Sequence, residues 1–368
     1  MDSSIEMQMS SCSLHDQAPD TLRLTDPTSE ESANKTIKKY LLAESAEFRE
    51  LNKLREQGWN NPDGDTFFQN QRQTADKADN RTASRFYDLM NKIGEELHRV
   101  TDAFGIRQQS KSTQPKILDM CMAPGGFLAT ALRKNPSARA LAFSLPISNG
   151  GHKVLLPAAS NVEKRFLDVT MMAEDMGSKE IPDNHPEAGR FLPQQFKPGQ
   201  LFDLVLCDGQ VLRTHERAPY REKREARRLT TTQLALGMEH LRPGGTMVVL
   251  LHKLERYDTA NLLRTFSKIS SVRSFKPERG HRIRSSFYMV ATNVQSQHPD
   301  AIQAVEAWKS AWKVATFGTD GDYEQSIRVG GEDVGEMLAE FGADLVNMGR
   351  QAWRVQADAL TRAPFIRN

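Results

Sequence analysis

The chain has 368 residues, enough to bury a large core. Its 49 basic and 47 acidic residues leave a formal charge of +2, so global charge alone demands no polyanionic partner. The three cysteines, Cys12, Cys121 and Cys207, form no C-x-x-C pair, which argues against a metal (zinc) site or a disulfide framework and suits a reducing compartment. No apolar run approaches the roughly 18 residues of a membrane span, and the N-terminus has no secretory apolar core. An intracellular protein of cytoplasm or nucleus, with no membrane contact, is the expectation.

Residues 1–34 are rich in Ser, Asp, Glu and Thr and read as a disordered tail. From Lys35 to Gln57, Ile37, Tyr40, Leu41, Phe48, Leu51 and Leu54 recur at helical spacing, which predicts one amphipathic helix ended by Gly58. Residues 60–80 are polar and read as a linker. A second helix is predicted over 82–104, with Phe86, Leu89, Ile93, Leu97 and Val100 on one face, completing an N-terminal helical region over 35–110. Strand and helix patterns then alternate through 111–295, the mark of a parallel sheet covered by helices on both faces. Strands are expected at 116–122, 140–145, 164–168, 201–207, 245–252, 272–276 and 286–292, the last two as an antiparallel hairpin. Residues 171–200 read as a long surface connection. Helical spacing returns at 301–314 and 333–360, a C-terminal appendage over 296–368 whose Trp308, Trp312 and Trp353 read as packing residues.

The chemistry centres on Lys116-Ile-Leu-Asp-Met-Cys-Met-Ala-Pro-Gly-Gly-Phe127. A strand that runs through a glycine turn into a helix N-terminus makes a ligand cradle, because unpaired N–H donors of the first helical turn face the turn. Asp119 ends the strand, where a carboxylate can meet a cationic amino group. The pattern is neither G-x-G-x-x-G nor G-x-x-x-x-G-K-[ST], which removes the dinucleotide and phosphate-loop readings. In an open parallel sheet, ligands bind beyond the carboxyl ends of strands. Asp208 follows the apolar strand 202–207 and Lys253 follows the strand 247–252, so a carboxylate and an ammonium are expected in the same crevice.

The stretch Asp119 to Phe127 resembles the D-x-x-x-A-P-G-G-[FW] signature of FtsJ-like ribose 2′-O-methyltransferases, and the resemblance spans about residues 82–293. It implies a seven-stranded, mostly parallel Rossmann-like α/β methyltransferase sheet with helical extensions at both ends, and S-adenosylmethionine as methyl donor. It implies that Asp119, Cys121, Ala123, Pro124, Gly125, Gly126 and Phe127 hold the donor, together with Ser144, Leu145, Asp168 and Asp208. Asp168 would meet the adenine amino group or, equally, cap the helix that follows. Of the family's Lys-Asp-Lys-Glu catalytic set, Asp208 and Lys253 match the central pair. Ser286 stands at the Glu position. Asp88 stands where the first Lys is expected, with Lys92 one helical turn later as a substitute. The implied reaction is methyl transfer to a ribose 2′-hydroxyl of RNA, with Lys253 and Lys92 near the nucleophile. The basic run Arg213–Arg228 and the loop Lys276–Arg284 would contact RNA phosphates, or else the run is a solvated helix face. A scaffold that binds donor or RNA without catalysis, and a methyltransferase of a non-RNA substrate, remain as alternatives.

Overall fold

Neighbouring residues along the strands serve opposite cores. Ile117, Leu204, Leu206 and Val248 pack on one face of the sheet, and Leu118, Val205, Cys207, Met247 and Val249 on the other. That period-two alternation of apolar residues on both faces requires a helical layer on each face. In the computed structural model, which describes residues 30–64, 66, 67, 69, 80–106, 114–328 and 331–367, both layers are present.

The helices and strands run in the order α1 (Glu30–Glu44), α2 (Ala46–Trp59), α3 (Asn80–Thr101), β1 (Lys116–Asp119), α4 (Gly126–Lys134), β2 (Arg139–Ser144), β3 (Val162–Phe166), β4 (Phe202–Cys207), α5 (Glu225–Glu239), β5 (Leu241–His252), α6 (Tyr257–Ile269), β6 (Ser271–Phe275), β7 (Ser286–Val294), α7 (Pro299–Phe317), α8 (Asp320–Ser326), α9 (Gly331–Thr361) and α10 (Pro364–Arg367). The sheet order is β3-β2-β1-β4-β5-β7-β6. Strands β1 to β5 are parallel, and β7 lies antiparallel between β5 and β6. The expected seven-stranded α/β sheet with its closing hairpin is therefore the architecture found. Strand order reverses between β1 and β4, the position at which a crevice opens at the carboxyl ends of the strands.

Helices α3 and α4 cover one face; α5, α6 and α7 cover the other, joined there by α1, α2 and α9. The N- and C-terminal described helices thus share one layer: the Phe48 ring lies 5.0 Å from Trp353, and Arg55 Nη2 donates to Gln356 Oε1 at 2.9 Å. Trp312 and Trp353 are fully buried, in accord with a packing role.

Some expected boundaries move. The helix expected over 35–57 is two helices, because the Ser45 hydroxyl accepts from the Phe48 amide at 3.2 Å and starts a second one. Gly58 lies inside α2, with the Phe365 ring against it. Residues 30–34, expected in the tail, open α1 with Glu30 and Glu31 in the first turn, where the helix dipole favours acids; residues 1–29 lie outside the described residues. So does most of the expected linker 60–80. The 171–200 connection is not a solvated loop. Met172, Met176 and Phe196 are buried in it, and the buried Asp175 carboxylate accepts from the amides of Gln195 and Phe196 at 2.8 and 3.1 Å.

Gly126 is fixed by close helix packing. A Cβ there would lie 2.5 Å from Met90 Cβ and 2.6 Å from the Tyr87 carbonyl, so α4 and α3 meet backbone to backbone. Alanine would gain about 0.5–1 kcal/mol of helix propensity, but overpacking against backbone costs about 1–3 kcal/mol or more. Gly126→Ala is therefore expected to lower stability by 1 kcal/mol or more on balance, read as a reduced melting temperature.

Candidate active site

A cleft of about 430 Å³ opens at the strand-order reversal, within the size range of small-molecule sites. Met120, Cys121, Ala123 and Pro124 line it from the β1–α4 turn, Ser144 and Leu145 from the end of β2, and Asp168 from beyond β3. Asp208, Gly209 and Gln210 line it from beyond β4, Leu250 from β5, and Tyr288 from β7. Phe86 and Met90 of α3 form one wall, and His281 of the β6–β7 loop lies at the end beside Tyr288.

The expected donor-binding residues divide. Cys121, Ala123, Pro124, Ser144, Leu145, Asp168 and Asp208 line the cleft; Asp119, Gly125, Gly126 and Phe127 do not. Asp119 is buried behind the turn, and its Oδ1 accepts from the Cys121 amide at 3.1 Å. Gly125 supplies a left-handed turn residue (φ 107°) and packs against Leu156, whose neighbour Leu155 donates its amide to the Pro124 carbonyl at 2.9 Å. Phe127 packs between Phe104 and Tyr288, at 5.9 and 5.2 Å. The two glycines thus shape the turn and its packing, where the sequence had suggested a direct approach to a ligand.

Asp208 is the charged focus of the cleft. Its Oδ1 is buried and has no hydrogen-bond partner among the described residues, and the same holds for Ser144 Oγ. Burial pushes the Asp208 carboxyl up to about 7. Burial, and then the charge of Asp208, raises Asp119 in turn. An unpaired buried acceptor beside a second carboxylate is a site made for a cation or a strong donor.

Lys92 and Lys253 are not among the residues lining this cleft. Lys92 lies on the far side of α3, in a separate surface depression with Glu95, Glu96, Arg99 and Lys134. Lys253 follows β5 with a left-handed backbone (φ 49°), its amide donating to the Ser285 carbonyl at 3.1 Å. The expectation that both amines stand beside Asp208 thus finds neither of them among the residues that line the cleft with it. On α3, Phe86 and Met90 face the cleft, and Lys92, two residues past Met90, points elsewhere. On β5, Leu250 is the residue that reaches it.

Asp168 is also committed. Its Oδ1 accepts from the Thr170 amide at 3.0 Å and its hydroxyl at 2.8 Å, and its Oδ2 takes Arg221 at 2.7 Å with His215 Nε2 at 3.3 Å. Burial works to raise this carboxyl, but His215 and Arg221 hold it well below the usual range. The capping role holds, and the oxygens expected to meet an adenine amine are already engaged.

The basic run 213–228 proves largely internal. Arg221 and Arg228 are fully buried around Glu225, at 2.6 and 3.1 Å; Arg221 also reaches Glu187 at 3.3 Å, and Arg228 Nη2 donates to the Thr170 carbonyl at 3.1 Å. Arg224 pairs with Asp320 and lies 5.0 Å from the Tyr323 ring. Neither a phosphate patch nor a solvated face describes them: Arg221 and Arg224 from the turn before α5 and Arg228 from its first turn all point inward onto carboxylates. Asp168, His215 and Glu225 could by distance hold a cation, but the Arg221 guanidinium already bridges Asp168 and Glu225. Arg213 and Lys223 remain exposed, and Arg213 lines the cleft. The second basic segment is similar. Lys276 is buried and its ammonium donates to the carbonyls of His281, Arg284 and Ser286, which fixes the β6–β7 loop. His281 is buried as well.

The chain reading missed Gln210, Tyr288 and the inward turn of His281. Gln210 Oε1 meets His252 Nε2 at 2.8 Å. Tyr288 could have been found by strand alternation, since it shares a sheet face with Val290. His281 carries no sequence signal, because a loop position does not announce its direction.

The family described as FtsJ-like methyltransferase matches residues 91–294. Among curated proteins no sequence match was found. Similar solved structures include a Plasmodium falciparum protein described as a ribosomal RNA methyltransferase, at 16% identity and a TM-score of 0.35, covering 55% of this chain and 97% of that one. The N-methyltransferase NodS from Bradyrhizobium japonicum is similar at 14% identity and 0.34, over 56% and 97%. Human methyltransferase-like protein 13, solved with SAH, is similar at 10% and 0.30, over 62% and 89%. At these scores none of them bears on the chemistry of this chain.

Two outcomes follow from the charges. Asp208 ionises near 3.8 when unfolded and at about 7 in the fold, so between those values the native state holds the extra proton. Stability should then fall as pH rises through that window, by roughly 1.4 kcal/mol per unit at most, and Asp208→Asn should flatten the slope in urea titrations at pH 5 and pH 8. Arg221→Ala leaves Asp168, Glu187 and Glu225 buried without their shared cation, and should cost about 3–5 kcal/mol in the same assay.

Proposed function

The chain belongs to the FtsJ-like methyltransferase family, and on that premise we propose that it moves a methyl group from S-adenosylmethionine to a ribose 2′-hydroxyl of RNA. The observation that carries the reading is the buried, unpartnered Asp208 Oδ1 in the cleft beside the 120–124 turn. The residues present fit the donor. Cys121, Ala123 and Pro124 would hold its amino-acid end, Ser144 Oγ and Leu145 its ribose side, and Asp208 would lie against its positive charge. When bound, the donor supplies an electrophilic methyl on a sulfonium. Asp208 favours that cationic group over the neutral thioether left after transfer, and the apolar wall of Phe86, Met90 and Leu250 excludes water. Asp168 shapes the floor while tied to Arg221 and His215.

RNA as the acceptor is supported by the family and by Arg213, an exposed cation on the cleft lining, with Lys153 on the same lining. The wider basic run does not add to this, since most of it is internal. One observation favours a second reading. With neither Lys92 nor Lys253 on the cleft lining and Ser286 in the Glu position, the chain could bind the donor without transferring its methyl group.

Radiolabelled methyl transfer to RNA, with donor affinity measured separately by calorimetry, distinguishes the two. The first reading expects transfer by the native chain. Asp208→Asn should weaken donor binding about tenfold, the loss of roughly one charge-assisted contact, and remove transfer. Tight binding with no transfer to any RNA would support the scaffold instead.

A further inference from the structure

A side chain of α5 grips the backbone that carries Asp208. The ladder between β4 and β5 ends with Cys207 opposite Val249, so Asp208 lies just past the last paired residue. There Gln233, buried with 4% of its surface exposed, supplies hydrogen bonds from the helix. Its Oε1 accepts from the Gly209 amide at 2.9 Å, and its Nε2 donates to the Gly209 carbonyl at 3.2 Å. Gln210 Nε2 donates to the same carbonyl at 3.0 Å, and Gln210 Oε1 meets Nε2 of His252, the last residue of β5, at 2.8 Å. On its other side Gly209 lies against the donor turn: a Cβ there would come within 2.3 Å of Cys121 Sγ and 2.6 Å of Cys121 Cβ. The Gly209 backbone is thus the point at which the ends of β4 and β5, helix α5 and the 120–124 turn meet.

We infer that Gln233 is a positioning residue: by holding both hydrogen-bonding groups of Gly209, it fixes the direction of the Asp208 carboxylate in the methyl-donor site. The inference rests on the donor reading above and adds to it the residue that orients the charged group. A carboxamide suits the place because it accepts and donates at once, which no ionised or apolar side chain does. It is also neutral, at a point where burial already raises the carboxyls of both Asp119 and Asp208 and a third charge would be costly. The backbone matters to the charge, because Asp208's own amide works to lower its carboxyl against burial. With the amide and carbonyl of Gly209 held by Gln233 and its open side filled by Cys121, the Asp208 backbone has little freedom to rotate. The carboxylate then keeps one direction whether or not the donor is bound.

The test uses the full chain with Gln233→Met and Asp208→Asn, singly and together, and reads affinity for S-adenosylmethionine by calorimetry. Gln233→Met keeps the length of the side chain and removes both contacts to Gly209. It should weaken donor binding about fivefold in the native chain but by less than about twofold in Asp208→Asn, where the carboxylate it positions is gone. A merely structural role would give the same loss in both backgrounds. Carbon NMR of the carboxyl groups supplies a readout that needs no ligand. The Asp208 titration midpoint should fall from about 7 toward 3.8 in Gln233→Met, as the released carboxylate reaches water. Should Gln233→Met fail to fold, Gln233→Asn, too short to hold both groups of Gly209, carries the same readings. Native-like donor affinity in the Gln233 variant, equal losses in both backgrounds, or a midpoint that stays at about 7 would each overturn the positioning role. A native chain that does not bind the donor, or an Asp208→Asn variant that binds it as tightly as the native chain, would instead sink the donor reading of the previous section, and this inference with it.

Discussion

Two carboxylates at the ends of adjacent strands set the terms for this molecule. Asp119 closes β1 opposite Leu206 of β4, and Asp208 stands two residues beyond that pairing. Both are buried, and the charge of Asp208 makes that of Asp119 harder to bear. A fold can keep such a pair only if something offsets it. Asp119 has a backbone amide. The Asp208 Oδ1 has no hydrogen-bond partner among the described residues. The sheet order, the turn at 120–124 and the apolar wall of α3 leave a cleft that Asp208 lines, and the methyl donor of the family carries a positive charge.

Elsewhere the chain meets the same problem internally. Arg221 and Arg228 lie beneath the β3 end with Asp168, Glu187, Glu225 and His215 around them, so this corner of the cleft is satisfied before any ligand binds. The contrast separates wall from site. Carboxylates that already have a guanidinium hold the fold, and the one without a partner is available for chemistry.

The sheet was legible because its central strands carry apolar runs, two of them closed by an acid at Asp119 and Asp208, and helical spacing in the flanks is long and regular. The turn at 123–126 was legible as a motif. What did not follow from sequence was direction. Lys92 and Lys253 were placed by position along the chain, but two residues on a helix turn a side chain through about 200°, and a residue past a strand end no longer obeys the pleat. The arginine run was misread because charge in a sequence does not show which side of the helix faces inward. The break at Ser45 was missed because helical periodicity continues across it. His281 is a loop residue, and its inward turn depends on Lys276 gathering three carbonyls, a contact made only after β6 and β7 have paired.

The clasp between α2 and α9 has a consequence for how the chain is made. Phe48 and Trp353 touch across some three hundred residues, and Arg55 donates to Gln356 at 2.9 Å. During synthesis α1 and α2 emerge with an apolar face that nothing close in sequence covers. Part of that face meets the start of α6, through Asn34 and Tyr257 and through Arg55 and Glu255, but the rest stays exposed until α9 leaves the ribosome, whereas the sheet between them can pair strand by strand as it appears. The interval before that closure is when the nascent chain is most open to chaperones and to aggregation, and its length is set by translation speed.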